Sequence, residues 1–367
     1  MEEVFRVARR LGISEEEVNA LSREALRILS SRGITKPTEK QLLDAIEHVS
    51  MIWGAIDDRW LEFAKNLLLH RIYRECGKDL RVVKDVEKRL TYQGLRLLYA
   101  RYLLKDESGR VRETPNEAFR RVANYIALAE SRYGNPVNDY ALKFYDLMVK
   151  LKFLPNSPTI MNSGTRRPQL AACFVVPLED DMNAILDALR VSVFIQKTGA
   201  GVGFDFSPLR PKGDVIRGTG GVSSGPVSFM RLFDVAADVI KEGGKRRGAM
   251  MAILHDWHPD ILEFVMSKCG DKRVFENFNI SVGVHDRFMD ALDKDDIWYL
   301  FNPRTCREVR IEGVNDEVLS KCKPWSDIKA RKLFELMIEC AWRSGDPGVV
   351  FLDTINKHNP TPNVGKI

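Results

Sequence analysis

Glycines and cations concentrate in one stretch of the chain, and together they suit phosphate binding. Eleven of the 25 glycines lie within the 50 residues from Gly199 to Gly248. Arg210 and Arg217 surround a tight turn, and GGKRRGA, residues 243–249, sets three cations among three glycines. Glycines let backbone N–H groups approach a phosphate closely, and arginines bind its oxygens bidentately. Two such loops predict a polyphosphate site, although surface loops with solvated charges would have the same composition.

The two commonest nucleotide-binding motifs are not matched. GAGVGF, residues 199–204, resembles the dinucleotide fingerprint GxGxxG, but Phe204 stands at its third glycine. Lys197 and Thr198 follow no upstream GxxxxG, which excludes a P-loop. A phosphate site in this chain must therefore be built from irregular loops.

Two further features could carry chemistry, and each has a simpler interpretation. Cys173 lies in the apolar run AACFVV, where a structural thiol is the ordinary expectation. His255 and His258 are spaced so that two imidazoles could reach one metal, yet Pro259 and Asp260 follow at once. A loop that leads into a helix N-terminus explains this HPD sequence, so we expect no metal there.

The predicted elements that position these residues change in type along the chain. Residues 1–105 are predicted to be mainly helical, with capping boxes that begin at Ser14 and Thr38. Thr114 and Pro115 begin another helix. Beyond residue 154, short β-like runs alternate with helical ones; they begin at Ala171, Gly201, Ala249, Asn279 and Val349. This alternation predicts a parallel sheet or a barrel.

Composition excludes several classes of protein. The chain has 367 residues, of which 44% are hydrophobic and 29% charged, and its net charge is +5. These values exclude collagen-like, disordered and disulfide-scaffold chains, and the charge is too small to indicate nucleic-acid binding. No apolar run approaches the ~18 residues of a membrane span, and the N-terminus has no signal-peptide core. The six cysteines form no CxxC pair, so we expect free thiols and a cytoplasmic location.

Eight strings in the sequence, taken together and in order, resemble the large subunit of ribonucleotide reductase, and are most like its adenosylcobalamin-dependent class II form. They are RYLLKDESGRVRETPNEAFRRVA, PNSPTIMNSG, ACFVVPLED, KTGAGVGFDFSPLRPKGD, TGGVSSGPVSFM, EGGKRRGAMMAIL, HPDILEFV and GDPGVVFLD. The resemblance implies an α/β fold, with a helical region followed by about the first half of a ten-stranded α/β barrel. It divides the chain into residues 1–90, a degenerate ATP-cone-like region, residues 91–155, also helical, and residues 156–367, the half barrel.

The resemblance also implies a radical reduction of ribonucleotides. In the family, a thiyl radical on a central finger loop takes the 3′ hydrogen of the ribose. Two other cysteines then supply the electrons that replace the 2′ hydroxyl by hydrogen. Cys173 would be the first of this reducing pair, and Thr159, Ala172 and Gly201 would bind substrate. The implied function is a component of a ribonucleoside (di)phosphate reductase with adenosylcobalamin as cofactor.

The glycine loops are implied to form an allosteric specificity site for a deoxynucleoside triphosphate (dNTP). Asp180 would accept from the ribose hydroxyl of the effector, while Arg210 and Arg217 would hold its triphosphate. The loop that would relay the effector's identity to the substrate base consists of Gly243, Gly244, Lys245 and Arg246. Glu242 stands where the family commonly has glutamine, so that contact is not carried over.

The sequence departs from the family pattern in two places. An NPCGE-type loop, which carries the radical cysteine, does not occur before Ile367, and none of the six cysteines matches its role. A split gene, an intein or a truncation would each give this pattern. We expect a complementary C-terminal reductase chain to supply the loop, and this chain to be inactive alone. The KRDG-like turn of an ATP-cone is also missing, so residues Met1–Glu75 are expected not to bind ATP.

Three further expectations follow from the resemblance. A thioredoxin-like protein would re-reduce the cysteine pair, and two copies would associate through helices beside the specificity site. Neither a membrane nor a nucleic acid is expected as a partner. The alternative function is a non-catalytic, nucleotide-binding regulatory chain, which has no need of the Cys173 thiol.

Overall fold

Two units make up the computed structural model, Met1–Leu170 and Ala171–Ile367. The structure describes residues 1–78, 85–166, 168–216, 220–239, 248–270 and 274–367. Arg217, Gly243, Gly244, Lys245 and Arg246 of the expected effector site therefore lie outside the described residues. Within the described ranges, every helix is too short or too polar to cross a lipid bilayer.

The first unit is helical, as predicted. Its α-helices are α1 Glu2–Arg10, α2 Glu15–Ser31, α3 Glu39–Trp53, α4 Arg59–Glu75, α5 Asp85–Arg89, α6 Tyr92–Leu97, α7 Pro115–Ala127, α8 Val137–Val149 and α9 Ser157–Asn162. A π-helical turn, Leu98–Tyr102, follows α6, and a 3₁₀ turn, Leu128–Tyr133, follows α7. The capping boxes at Ser14, Thr38 and Thr114 are all formed and fix where α2, α3 and α7 begin.

Buried charge as well as apolar packing holds the first unit together. Val18, Leu21 and other apolar residues spaced along α2 are buried inside the first unit, as their helical periodicity predicts. Arg71 on α4 is buried and pairs with Asp44 on α3 at 2.7 Å and with Glu75 at 3.4 Å. Removing either partner of a buried ion pair leaves an uncompensated charge, so this network fixes the packing of α3 against α4.

The second unit contains a five-stranded parallel sheet in the order β1-β2-β3-β4-β7 and an antiparallel β5-β6 ribbon. The strands are β1 Cys173–Val175, β2 Gly201–Asp205, β3 Met250–His255, β4 Phe278–Val284, β5 Ile297–Leu300, β6 Ser326–Lys329 and β7 Gly348–Phe351. The helices are α10 Met182–Lys197, α11 Pro226–Val239, α12 Ile261–Met266, α13 Asp286–Asp293, α14 Glu308–Glu312, α15 Asp316–Lys321, α16 Ala330–Ser344 and α17 Leu352–Lys357. All five predicted β-like runs are strands of the parallel sheet, whereas the β5-β6 ribbon was not predicted.

Aromatic side chains fill the core beside the sheet. Phe204 and Phe206 of the β2 segment pack against Phe233 on α11, with ring centroids 4.7 and 5.8 Å apart. Phe278 of β4 lies 6.2 Å from the Phe206 ring. Burying rings of this size stabilises a core by several kcal/mol, on the order of 3–5 for each Phe that would otherwise be Ala. Aromatic packing thereby joins α11, the β2 segment and β4 in one core.

The expectation of free thiols is wrong for four of the six cysteines. Disulfides join Cys269 to Cys340 and Cys306 to Cys322, while Cys76 and Cys173 remain free. The partners are 71 and 16 residues apart in sequence. Such spacings carry no pairing signal, because only the folded packing, such as that of α12 against α16, brings the sulfurs together.

Candidate functional site

The Cys173 thiol lies beside Gly201, where two strand backbones come close together. Cys173 begins β1, is free and exposed, and pairs in register with Gly201 of β2. The Gly201 N–H donates to the Ala172 carbonyl at 2.8 Å. A Cβ at Gly201 would lie 3.7 Å from Cys173 Sγ and 3.1 Å from the Ala249 carbonyl oxygen. The structure thus brings Cys173, Ala172 and Gly201 together, and a side chain at position 201 would contact the thiol and crowd the Ala249 carbonyl.

Thr159 is held within the first unit by local hydrogen bonds. The Asn156 side chain caps α9 by accepting from the Thr159 N–H at 2.9 Å, and Thr159 Oγ1 donates to the Leu170 carbonyl at 3.2 Å. Arg121 donates to the carbonyls of Ile160 and Ser163, which ties the same short helix to α7. Thr159 is buried, and its expected role in binding substrate phosphate stays a prediction.

Asp180 and Arg210, both predicted effector ligands, form an ion pair. Asp180 follows β1 and Arg210 follows β2. The Asp180 carboxylate accepts from Arg210 Nε at 2.8 Å and from the Arg210 backbone N–H at 3.2 Å. Arg210 Nη1 also donates to the Val215 carbonyl at 3.3 Å. Two segments at the carboxyl ends of neighbouring strands are thereby joined at the residues that sequence analysis singled out.

Arg210 opens a hairpin, described over residues 210–216 and 220–223, that a second ion pair fastens. A bridge between Val215 and Val222 and a hydrogen bond of 2.8 Å from the Ser223 N–H to the Asp214 carbonyl form the hairpin. The Asp214 carboxylate is 3% exposed and accepts from Arg304 Nε at 2.5 Å and Nη2 at 2.7 Å. Arg304 lowers the pKa of Asp214 to about 2. Sequence analysis missed this pair, since its members are 90 residues apart and in segments without a shared motif.

The histidine of the HPD segment, His258, is structural. His258 is fully buried; its Nδ1 accepts from the Asp260 N–H at 3.0 Å, so its Nε2 carries the proton and donates to the Leu209 carbonyl at 2.8 Å. Burial lowers the pKa of His258 to about 4. Asp260 is the N-cap residue of α12, which confirms that HPD leads into a helix.

A cavity of about 390 Å³ lies at the carboxyl ends of β2 and β3. Its lining includes Asp205, Ser207, His255 and Trp257, together with the Glu179–Arg310 ion pair. His255 Nε2 lies 3.7 Å from Asp205 Oδ2, and burial lowers the pKa of His255. The cavity presents charges of both signs, and this pattern alone selects no ligand class.

A third histidine, at the end of β4, has its pKa raised by a neighbouring carboxylate. His285 Nδ1 donates to the buried Asp256 carboxylate at 3.0 Å, and the His285 backbone N–H donates to its other oxygen at 2.8 Å. Burial acts to lower the pKa of His285, but the hydrogen bond and charge of Asp256 outweigh it and raise that pKa. Asp256 thus fixes the start of α13, and its role is structural.

Comparison with known proteins agrees with this architecture. Residues 171–367 match the family described as the ribonucleotide reductase barrel domain, and residues 88–168 match the ribonucleotide reductase all-alpha domain. The vitamin B12-dependent ribonucleoside-diphosphate reductase of Thermoplasma acidophilum is 39% identical over 90% of this chain and 49% of its own length.

Two further relatives extend the comparison. The vitamin B12-dependent ribonucleoside-diphosphate reductase of Mycobacterium tuberculosis H37Rv is 38% identical over 99% of this chain and 49% of its own length. The ribonucleoside-diphosphate reductase large subunit of Caenorhabditis elegans is 31% identical over 78% of this chain and 37% of its own. The chain spans about half the length of the B12-dependent relatives. It belongs to the large-subunit family of ribonucleotide reductase.

Proposed function

We propose that this chain is a component of a vitamin B12-dependent ribonucleoside-diphosphate reductase and contributes Cys173 as one of two reducing thiols. The observation that carries the proposal is the free, exposed Cys173 thiol on β1, in register with Gly201 of β2. A thiol that reduces a bound ribose must be reachable and must have room for the sugar next to it. Ala172 and Gly201 would line that room, and Thr159 would contact the substrate phosphate.

The Cys173 thiol would act as half of a two-electron donor. The two thiols together give up two electrons and two protons and become a disulfide, while the ribose loses its 2′ hydroxyl as water and gains a hydrogen there. A thioredoxin-like dithiol would then reduce the disulfide again by exchange. The second thiol of the pair and the radical cysteine would come from the other half of the barrel.

Among the residues that the structure describes, the one grouping of three potential metal ligands is Cys306, Glu308 and Cys322, and its two sulfurs are joined to each other. Adenosylcobalamin carries its cobalt in its own ring, so this grouping does not bear on where the cofactor binds. Adenosylcobalamin is expected for the complete enzyme, and the residues that hold it are proposed to lie in the other half of the barrel.

The Asp180–Arg210 pair and the hairpin beside it would form part of the dNTP specificity site. Asp180 Oδ2 lies 2.8 Å from Arg210 Nε, which holds the carboxylate at a fixed place to accept from a ribose hydroxyl. Arg217 and the loop from Gly243 to Arg246 would complete the site around the triphosphate. A regulated specificity needs two sites joined by an element with two arrangements, and this loop is proposed to be that element.

Exposed apolar surface supports two proposed associations. Val175 on β1 and Phe351 on β7, the two edge strands of the sheet, are exposed, and unpaired strand edges are suited to strand pairing. A complementary C-terminal reductase chain is proposed to complete the barrel there. Leu186 and Phe194 on α10 and Val235 on α11 are also exposed, and these helices would form the contact of a dimer.

An anaerobic reconstitution tests the proposal. This chain would be mixed with a polypeptide that carries an NPCGE segment, together with adenosylcobalamin, ribonucleoside diphosphate, dithiol and dNTP. We expect deoxynucleotide only from the mixture. Cys173→Ser should abolish multiple turnover, and Cys76→Ser, which alters the other free cysteine, should not. Full turnover by Cys173→Ser in a verified complex would refute the thiol's role. If the chain binds dNTP while Cys173 is not needed for turnover, the regulatory function is favoured.

A further inference from the structure

Arg304 reaches from a distant segment to Asp214 at the base of the hairpin. It lies between β5 and α14, where its backbone N–H donates to Asn302 Oδ1 at 2.9 Å. Asn302 is 1% exposed, and the neighbouring Phe301 N–H donates to the Trp257 carbonyl at 2.8 Å. The segment that carries Arg304 is therefore anchored to the end of β3 and does not move freely at the surface.

The Arg304 guanidinium holds its partner with two parallel hydrogen bonds. Both of its bonds go to Asp214, whose carboxylate is almost completely buried, and Asp214 Oδ1 also accepts from the Val215 N–H at 2.9 Å. Bidentate arginine–carboxylate pairs fix orientation as well as distance. Val215 is the residue whose carbonyl accepts from Arg210. A continuous chain of hydrogen bonds therefore leads from Arg304 through Asp214 and Val215 to Arg210.

We propose that Arg304 is a positioning residue for effector binding, which acts by holding Asp214 so that the hairpin presents Arg210 beside Asp180. This inference rests on the proposed effector site. Arg304 itself does not touch the ligand in this scheme. Its contribution is to keep the hairpin in one arrangement before the nucleotide arrives, which lowers the ordering cost of binding.

A disulfide fastens the same segment on its other side. Cys306 lies two residues after Arg304 and is joined to Cys322 at the end of α15. The cross-link and the anchored Asn302 enclose Arg304 between two fixed points. Reducing this disulfide should therefore weaken effector binding in the same direction as changing Arg304, by a smaller factor.

The test compares effector affinity in variants of the whole chain. Dissociation constants for dATP and dTTP would be measured by calorimetry for the wild type, Arg304→Gln, Arg304→Lys and Asp214→Asn. Arg287→Gln is the matched control, because Arg287 forms a 2.6 Å pair with Asp316 away from the hairpin. Hydrogen exchange of residues 206–216 would be followed in each variant.

We expect Arg304→Gln and Asp214→Asn each to raise the dissociation constant about tenfold or more, a size typical of a lost charged hydrogen bond. The variant that combines Arg304→Gln with Asp214→Asn should bind the nucleotide no more weakly than the single variant with the lower affinity. Arg304→Lys should recover part of the affinity, which a purely structural effect on folding would not predict. Faster exchange should be confined to the hairpin, and Arg287→Gln should bind like the wild type.

Two outcomes would overturn the inference, and they are distinguishable. A wild-type chain that binds neither nucleotide removes the proposed effector site and the positioning role with it. A wild-type chain that binds, with unchanged affinity in folded Arg304→Gln, removes the positioning role alone. If Arg304→Gln does not fold, unchanged affinity in Asp214→Asn removes the positioning role instead.

Discussion

The two disulfides of the second unit should raise its free energy of unfolding by several kcal/mol. Cys269–Cys340 closes a loop of 71 residues and Cys306–Cys322 closes one of 16. Loop-closure entropy in the unfolded chain then gives about 4 kcal/mol for the longer loop and about 3 kcal/mol for the shorter at 25 °C. Reduction removes both contributions without substituting any residue, so it is the cleanest perturbation.

Urea unfolding of the oxidised and reduced chain measures the difference. Trp257 and Trp298 are buried in the second unit and report its unfolding by fluorescence. Trp60 is buried in the first unit, for which no disulfide is described, and its transition serves as an internal control. We expect reduction to lower only the midpoint of the second unit.

Variants assign the effect to each bridge. Cys340→Ala should produce the larger loss of stability and Cys322→Ser the smaller, because the loop closed by Cys340 is longer. Cys76→Ser, at a free cysteine, is the control and should leave the second unit unchanged. Equal midpoints for oxidised and reduced protein, or six free thiols by mass spectrometry in the absence of reductant, would refute the reasoning.

Three further predictions concern single residues of the second unit. As the pH is lowered from 6.5 to about 4, the free energy of unfolding should decrease by up to about 3 kcal/mol, because His258 binds a proton in the unfolded chain while the buried His258 of the folded chain is still neutral. His258→Gln should flatten this pH dependence in denaturation curves. Asp256→Asn should lower the pKa of His285 in an NMR titration. The His285–Asp256 pair stabilises the fold below the raised pKa of His285 and stops doing so as the pH rises through that pKa, and the variant should lose this pH dependence. Gly201→Ala should cost about 1–3 kcal/mol in thermal unfolding, since its Cβ would lie 3.1 Å from the Ala249 carbonyl oxygen; an unchanged melting temperature would contradict this.

The parallel sheet could be predicted because its strands are marked locally. The runs that begin at Ala171, Gly201 and Ala249 are short, apolar and bounded by glycine or polar residues, as buried parallel strands are. The β5-β6 ribbon lacked that signal. Ser326–Lys329 is polar, and it becomes a strand only because it pairs with Ile297–Leu300, from which a long segment separates it. Strand formation there depends on a tertiary contact.

The candidate site likewise contains some features that the sequence indicates and others that only the fold creates. The neighbourhood of Cys173 and Gly201 follows from two adjacent strands in register, which sequence patterns can indicate. The Arg304–Asp214 pair and both disulfides join segments that no local pattern connects. Long-range polar contacts depend on the final packing of several elements, so they become visible only in the folded structure.

The position of Cys173 ties the proposed chemistry to assembly. Its thiol is exposed on β1, an edge strand of the described sheet. An exposed thiol reacts with oxidants and with other disulfides as soon as its thiolate forms. A thiol that must reduce one ribose for each turnover has to react with the substrate and its partner cysteine before it reacts with an oxidant or with another disulfide. Under the proposed function, pairing of a second half barrel with the exposed edge would bring the partner thiol and exclude those competitors in the same step. Because Cys173 lies on the exposed edge strand, the useful reactivity of its thiol would depend on completion of the barrel at that edge.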